Sequence, residues 1–351
     1  MTRNSSRAVW FWLGVFIFFV TFVYLLRSIL LPFVAGIIIG YLFDPLADRL
    51  EKLKLNRSAA TSIVLLGVVL IIIPAFLAVA HIADSQIRAF IAAAPKYIAS
   101  VNHKLSPLIS SLQESFPSLS KEGVMQYLQD NISNGFKIFV RILQKLLTGG
   151  YALFNIVSLL LITPVVAFYM LRDWDKFITH TDDLLPKSHK KEIRTQAKAI
   201  DRILSAFIRG QVAVCLTLGT FYAVGLSLIG LDLGLMVGMI AGVISFIPYV
   251  GSITGFALSM MIAFAQFDSI YPIIAVIGVF VCGQILEGYF LTPKLVGDSV
   301  GLHPVWVMFA LLSGGALLGF LGLMIAVPLA AVIGVLMRYF IDKYKHSAIY
   351  K

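Results

Sequence analysis

Apolar residues fall into long uninterrupted runs at 8–26, 29–43, 60–82, 149–171, 210–231, 233–263, 270–291 and 303–339. Crossing a bilayer takes about 20 apolar residues at 1.5 Å of helical rise each. The second run is short by that measure, and the sixth and eighth are too long for one untilted span. Both long runs contain breakers: Pro248 and Gly251 in the sixth, and Gly314, Gly315, Gly319, Gly322 and Pro328 in the eighth. Each therefore reads either as a kinked span or as a re-entrant hairpin joined to one. Eight crossings is the simplest count. The expected fold class is all-α integral membrane, with some helices broken or re-entrant and with amphipathic helices on both sides of the bilayer.

Two stretches outside the spans have helical periodicity. In 84–147, Ile87, Ile91, Ala94, Ile98, Val101, Leu105, Leu108 and Leu112 share a face, with Pro95, Pro107 and Pro117 as expected breaks. Ser120 is placed to cap a further helix through Val124 and Leu128. These helices are expected to lie on the membrane or to pack against neighbouring subunits. In 187–209, Ile193, Ala197, Ile200, Leu204 and Phe207 form one face, and Lys187, Lys190, Lys191, Arg194, Lys198 and Arg202 are mostly off it. That pattern suits a helix resting on an anionic leaflet; a solvated connector helix is the plainer alternative. The expected division is 1–83 as three N-terminal spans, 84–148 as an extracytoplasmic amphipathic region, and 149–351 as the C-terminal membrane region, with a cytoplasmic helix at about 186–209.

Composition and charge agree with this pattern. The chain is 59% hydrophobic and 13% charged, with a mean hydropathy of +0.91, whereas a soluble domain has about a quarter of its residues charged. The net charge of +10 is not a nucleic-acid signal here. Its Lys and Arg residues concentrate at 44–59, at 172–209 and in the tail, and with both termini inside all three face the cytoplasm, as the positive-inside rule requires. Arg3 and Arg7 before the first apolar run resemble the start of a signal peptide. No small-residue cleavage site follows, so a retained first span is expected. The two cysteines, Cys215 and Cys282, lie inside apolar runs and make neither a disulfide framework nor a CxxC metal pair. No cofactor or metal site is expected.

The motif search argues against an enzyme. Nothing matches GxxxxGK[ST] or HExxH. Gly297-Asp298-Ser299-Val300-Gly301 matches GxSxG, but between two membrane runs it lacks the strand–turn–helix setting of a nucleophile elbow and reads as chance. Gly234, Gly238 and Gly242 form a small-residue stripe that lets helices approach closely, and packing is the plainer reading of it.

The chemistry-bearing residues gather in the C-terminal half. Glu287 sits near the end of the seventh run, and a charge there costs about 2.5–3.5 kcal/mol on insertion scales if it meets lipid. Gln284, three residues earlier, shares its helix face. Pro293, Lys294, Asp298 and His303 follow in a segment whose broken backbone at membrane depth must be buried in protein or line a cavity. The Pro248-Tyr249-Val250-Gly251 break is either a simple kink or a place where freed carbonyls coordinate a cation or polar solute. Arg209 and Gln211 open the fifth run. The Arg can snorkel to headgroups, but the Gln just inside lipid needs a hydrogen-bond partner. Glu287 is thus a candidate proton or cation carrier, with a structural ion pair to Arg209 or Lys294 as the alternative. Counting crossings places it near the extracytoplasmic end of its run.

The ordered set of motifs resembles a known family. Phe168-Tyr169-Met170-Leu171-Arg172-Asp173, Phe207-Ile208-Arg209-Gly210-Gln211 and Ile247-Pro248-Tyr249-Val250-Gly251 come first. Glu287 with Leu291-Thr292-Pro293-Lys294-Leu295-Val296-Gly297, Val300-Gly301-Leu302-His303-Pro304, and the stretch from Gly314-Gly315 to Ala326-Val327-Pro328 complete it. Together they resemble the AI-2E (autoinducer-2 exporter, or PerM-like permease) family, most strongly from about residue 165 onward. The resemblance implies a multi-pass protein of the bacterial inner membrane and a homo-oligomer, with a pentamer as the candidate assembly. It also implies members linked to export of the quorum-sensing signal autoinducer-2, and other members that look like sodium or lithium/proton antiporters. It maps the family acid onto Glu287 and the Pro-x-x-Gly break onto Pro248 and Gly251. Partners are then the lipid bilayer and a small polar solute or monovalent cation, with no nucleic acid. The expected activity is outward transport of such a solute through the broken segments. Cation/proton antiport is the second reading, and a non-transporting scaffold, which deletion of 84–147 would inactivate completely, is a third from a different class.

Overall fold

A computed structural model describes residues 14–15, 18, 21–22, 25–26, 29–115, 134–135, 138, 141, 150–296, 302–347 and 350. Most of the first apolar run, the Ser120 helix, and Gly297 to Gly301, with Asp298 among them, lie outside the described residues.

The described chain is helical throughout: α1 (Leu31–Glu51), α2 (Arg57–Ser115), α3 (Gly150–Asp183), α4 (Lys190–Leu228), α5 (Gly234–Ile244), α6 (Val250–Gln266), α7 (Ile270–Ile285), a π-helical extension of α7 (Leu286–Val296), α8 (Pro304–Leu318) and α9 (Phe320–Lys345). Among the described residues, five helical segments are long and apolar enough to cross a membrane: Leu31–Glu51, Arg57–Val101, Lys190–Leu228, Ile270–Leu295 and Phe320–Lys345. The all-α membrane class is therefore what the chain forms. The shorter apolar helices α5, α6 and α8 come from the sixth and eighth runs, so these helices do not make up eight full-length crossings.

Two expected boundaries are absent. The amphipathic 186–209 stretch and the fifth run form one continuous helix, α4, with no break at Gly210. Likewise α2 continues through Pro74, Pro95 and Pro107 for 59 residues. Each proline removes one donor and can kink a helix without ending it.

The chain divides into two compact units: Met1–Val69 with Ile156–Gly210 and Val296–Lys351, and Leu70–Asn155 with Gln211–Leu295. In the first unit α1 and α3 run side by side in the same direction. Thr163 Oγ1 donates to the Pro32 carbonyl at 3.3 Å, and Gly36 and Gly40 face Val166 and Met170. Ala47, Val64, Leu65, Val68, Ala167 and Leu171 form the core there. Arg57, at the start of α2, locks it. Its guanidinium donates to Asp44 at 2.6 Å, to Asp48 and to Glu51, and its Nε to the Leu171 carbonyl at 2.9 Å. A charge with only 14% of its side chain exposed is tolerable because acids and a carbonyl take up its donors.

In the second unit the outer part of α2 buries Ile87, Phe90, Ala94, Tyr97 and Val101. Ile87, Ala94 and Val101 of the expected stripe are thus buried, with Phe90 and Tyr97 in place of Ile91 and Ile98, and this face is taken up within the chain. Tyr97 hydrogen-bonds Asp232, and Lys104 Nζ donates to the Phe264 and Phe267 carbonyls at 2.9 and 2.8 Å. A lysine on the orphan carbonyls at the end of α6 caps that helix.

Candidate functional site

The sixth apolar run folds as a hairpin. Glycines let α5 lie directly on α4: Gly234 meets Leu226, Gly238 meets Tyr222 and Ala223, and Gly242 meets Gly219. The stripe read from sequence is thus a packing seam. The chain then turns within residues 245–249, and α6 returns along α5, with Gly251 against Ser245 and Ala241 and Gly255 against Ala241 and Phe280. At the far end Gln266 closes the hairpin. Its Nε2 donates to the Gly230 carbonyl, and its Oε1 accepts from Asp232 N–H, both at 2.8 Å. At 11 residues, α5 is about 16 Å long, roughly half a hydrocarbon core. Run six therefore ends beside the point where it began, with Gln266 against Gly230 and Asp232.

This return reverses α7. Gly225 meets Val279, the Tyr222 and Phe280 rings stack at 4.7 Å, and a Cβ on Gly283 would stand 2.5 Å from the Tyr222 hydroxyl. Further along, Cys215 of α4 lies within electrostatic reach of Glu287. The pairs 225/279, 222/283 and 215/287 make α7 antiparallel to α4. Glu287 therefore lies at the Gln211 end of α4, next in the chain to the basic 172–209 segment. A single crossing by the sixth run would have put Glu287 at the end of α4 away from Gln211; the hairpin puts the two at the same end.

The same end of the unit holds the break. Gln211 is 5% exposed, and its Nε2 donates to the Ser245 carbonyl at 2.6 Å. This is the partner that a glutamine just inside lipid requires. Ser245 Oγ donates to the Ala241 carbonyl at 2.8 Å. Tyr249 N-caps α6 in the left-handed region at φ 68°, a conformation uncommon outside glycine. Pro248 stands between the two helices, and Gly251 is buried because Ser245 and the Ala241 carbonyl leave no room for a side chain. Ser252 lines a groove of about 440 Å³ together with Ile253, Ile277, Gln284, Ile285 and Tyr289. The break and the α7 residues just before the π-helix thus share one end of the unit.

Glu287 is the second residue of the π-helical extension, a wider turn that often marks functional positions. Gln284 Nε2 donates to Glu287 Oε2 at 3.1 Å. Among the described residues no Lys or Arg lies within 4.0 Å of this carboxylate, so the ion pair with Arg209 or Lys294 is not formed there. Arg209 is exposed, and its Nε donates to the Ser205 carbonyl of its own helix at 3.1 Å.

The comparison with known sequences fits this arrangement. The family model described as AI-2E family transporter matches residues 13–342.

The chain belongs to the AI-2E family of transporters.

Similarity extends across the membrane region. YueF of Bacillus subtilis (strain 168), named as a candidate transport protein, is 28% identical over 329 residues, covering 90% of this chain and 85% of that one. PerM of Escherichia coli (strain K12), named as a candidate permease, is 26% identical over 313 residues, covering 89% and 87%. YrrI of Bacillus subtilis (strain 168), also named as a candidate transport protein, is 38% identical over 178 residues, about half of each chain. A multi-pass membrane protein of a permease family is the level at which fold and family agree.

Of the candidate residues read from the sequence of this AI-2E family member, the structure brings Gln211, Pro248, Tyr249, Gly251, Gln284 and Glu287 to one end of the second unit. Pro293 and Lys294 follow in the π-helical extension, both exposed. Arg209 and His303 belong to the first unit. His303 Nδ1 accepts from Val305 N–H at 3.3 Å and caps α8. Sequence reasoning missed Ser245, Ser252, Cys215 and Tyr222. Ser245, three residues before Pro248, was the one legible signal, as a hydroxyl ahead of a break. Among the described residues no group of three or more His, Cys, Asp and Glu side chains is arranged to hold a metal ion.

Proposed function

We propose that this AI-2E family member is a permease that carries a small polar solute or a monovalent cation outward, along the end of the second unit where the α5–α6 break meets Gln284 and Glu287. Autoinducer-2 is the candidate polar cargo. The observation that carries the reading is the pairing of two features at one end. Gln211 satisfies a broken backbone, and at the same end a carboxylate has, among the described residues, a neutral amide as its one hydrogen-bond partner. A charge without a fixed counter-ion in a membrane segment marks an ion or substrate route by default. Broken half-helices beside such a charge are how many transporters build their sites.

Monovalent cation/proton antiport is the second reading, and the same carboxylate favours it, because a proton and a sodium or lithium ion can compete for it. Both termini on the cytoplasmic side belong to this proposal. The parallel course of α1 and α3 supports it, since it puts the basic 44–59 loop and the basic segment after Leu171 at one end of the first unit. Assembly into a homo-oligomer, with five subunits as the number to test, rests on the family resemblance.

The test is flux in liposomes holding purified protein, measured for labelled autoinducer-2 and, with a pH-sensitive dye, on addition of sodium or lithium. Glu287→Gln should lower flux by at least about tenfold, equivalent to about 1.4 kcal/mol on the barrier, while the protein still inserts and elutes as the wild type does. Wild-type flux from Glu287→Gln at every pH would remove Glu287 from the route.

A further inference from the structure

The first unit carries a charged cleft that transport leaves unused. Asp182, in the last turn of α3, accepts both Nε and Nη2 of Arg194 at 2.5 Å and Lys190 Nζ at 2.9 Å. The Arg194 guanidinium, and after it the Lys190 ammonium, hold the Asp182 carboxyl well below the usual carboxylate range. It therefore stays ionised at neutral pH and fastens the start of α4 to the end of α3.

Around this anchor is a cleft of about 400 Å³ lined by Lys187, Lys190, Lys191, Arg194, Thr195 and Lys198. Five basic side chains face two acids, Asp182 and Asp183, an excess of three positive charges. Lys187, Lys191 and Lys198 are exposed and lie beyond 4.0 Å of any carboxylate among the described residues. The remaining acid nearby is already engaged, since Glu192 accepts from Tyr339 Oη at 2.6 Å and from Lys343 Nζ at 3.1 Å.

That last contact also fixes the depth of the cleft. Tyr339 and Lys343 lie in the final turns of α9, where an apolar membrane helix gives way to Lys343 and Lys345. Aromatic and basic residues at the end of a span mark the headgroup zone. The first turn of α4 is tied to that level. Its chain neighbours include exposed apolar side chains, Phe177, Ile178, Leu184 and Ile193, with Leu184 75% exposed. Exposed apolar groups beside a lysine cluster suit a surface half in acyl chains and half in headgroups. A cleft for a soluble anion needs no such rim.

We propose that this cleft binds the phosphate headgroup of an anionic phospholipid in the leaflet where α9 ends, with Lys187, Lys191 and Lys198 supplying the charge and the Leu184–Ile193 rim meeting the acyl chains. The lipid anchors the α3–α4 corner at the membrane surface.

The test uses the full chain in a neutral detergent, with short-chain dioctanoyl phosphatidylglycerol, dioctanoyl phosphatidylcholine and inorganic phosphate as probes in equilibrium binding. The glycerol lipid should bind at least about tenfold more tightly than the choline lipid, and its binding should weaken as salt rises from about 0.1 to about 0.5 M. The triple variant K187Q/K191Q/K198Q should lose about tenfold or more of that affinity, as expected for three cations at an anionic surface, while K187R/K191R/K198R keeps it. Equal binding of the two lipids, or an undiminished preference in the glutamine variant, overturns the proposal. Inorganic phosphate binding as tightly as the glycerol lipid overturns it too, by making the cleft a soluble-anion site. If the glutamine variant does not fold, the probe comparison on the wild type decides.

Discussion

The two over-long apolar runs both fold as hairpins, but by different means. The α8–α9 hairpin turns on a single residue, Gly319, at φ 63° and ψ −138°, and its arms close through Gly314 against Gly322 and Gly315 against Leu323. It encloses a groove of about 550 Å³ walled by Leu302, Trp306, Phe309, Leu317, Leu329 and Met337 among others, nearly all of them apolar. The α5–α6 hairpin turns over five residues, 245–249, and needs a side chain from a third helix, Gln211, to satisfy its backbone. Geometry alone makes the first hairpin, whereas the second also carries a polar requirement that α4 and α7 must meet. In a medium without water each unsatisfied backbone group is costly. The longer break lies at the same end of the second unit as Glu287.

Substitutions can break this contrast. The largest effect is expected at the α4–α5 seam. Gly242→Leu drives a side chain into the Gly219 backbone, which cannot swing aside, and should cost about 3 kcal/mol or more. It should show as loss of the folded, monodisperse protein on detergent size exclusion. Gly315→Ala, between the arms of α8 and α9, meets only the flexible Leu323 side chain, Cδ2 at 3.0 Å, and should cost about 1 kcal/mol. An equal loss from Gly315→Ala would mean that the Leu323 side chain cannot give way. Next is the turn itself. Gly319→Ala forces an L residue into a region that glycine alone adopts comfortably and should cost about 1–3 kcal/mol in thermal unfolding. Since Tyr249 already tolerates φ 68°, Tyr249→Ala should change the midpoint little. A modest effect on stability is expected of Gln211→Ala, which unties the Ser245 carbonyl for about 1 kcal/mol. Its signature is selective: faster proteolysis or hydrogen exchange at 245–249 with α8–α9 unchanged. A uniform change across both hairpins would contradict the assigned role of Gln211.

Much of this was legible in the chain. Hydropathy marked the runs, the prolines and glycines marked where runs six and eight turn, and the need of Gln211 for a partner followed from its place just inside lipid. The identity of that partner did not, because Ser245 is 34 residues away and nothing local links them. Nor did the choice between kink and hairpin, since both satisfy the same hydropathy. It is decided by whether glycines on facing helices let α5 fold back onto α4, and by Gln266 binding the 230–232 loop. That choice had a large consequence, because the hairpin reverses α7 and puts Glu287 at the Gln211 end of α4 instead of the far end. The long α2 also misled. Pro95 and Pro107 read as ends, yet the buried stripe through Phe90 and Tyr97 holds the helix together across Pro95.

The central claim is that the α5–α6 hairpin turns α7 around, so that the break and Glu287 share one end. Membrane-impermeant maleimide labelling of single cysteines tests it most directly, in a Cys215→Ser, Cys282→Ser background and in vesicles of known sidedness. Tyr249→Cys and Tyr289→Cys, both at exposed positions, should label from the same face, and Asp268→Cys from the other. Labelling of positions 249 and 289 from opposite faces would contradict the account.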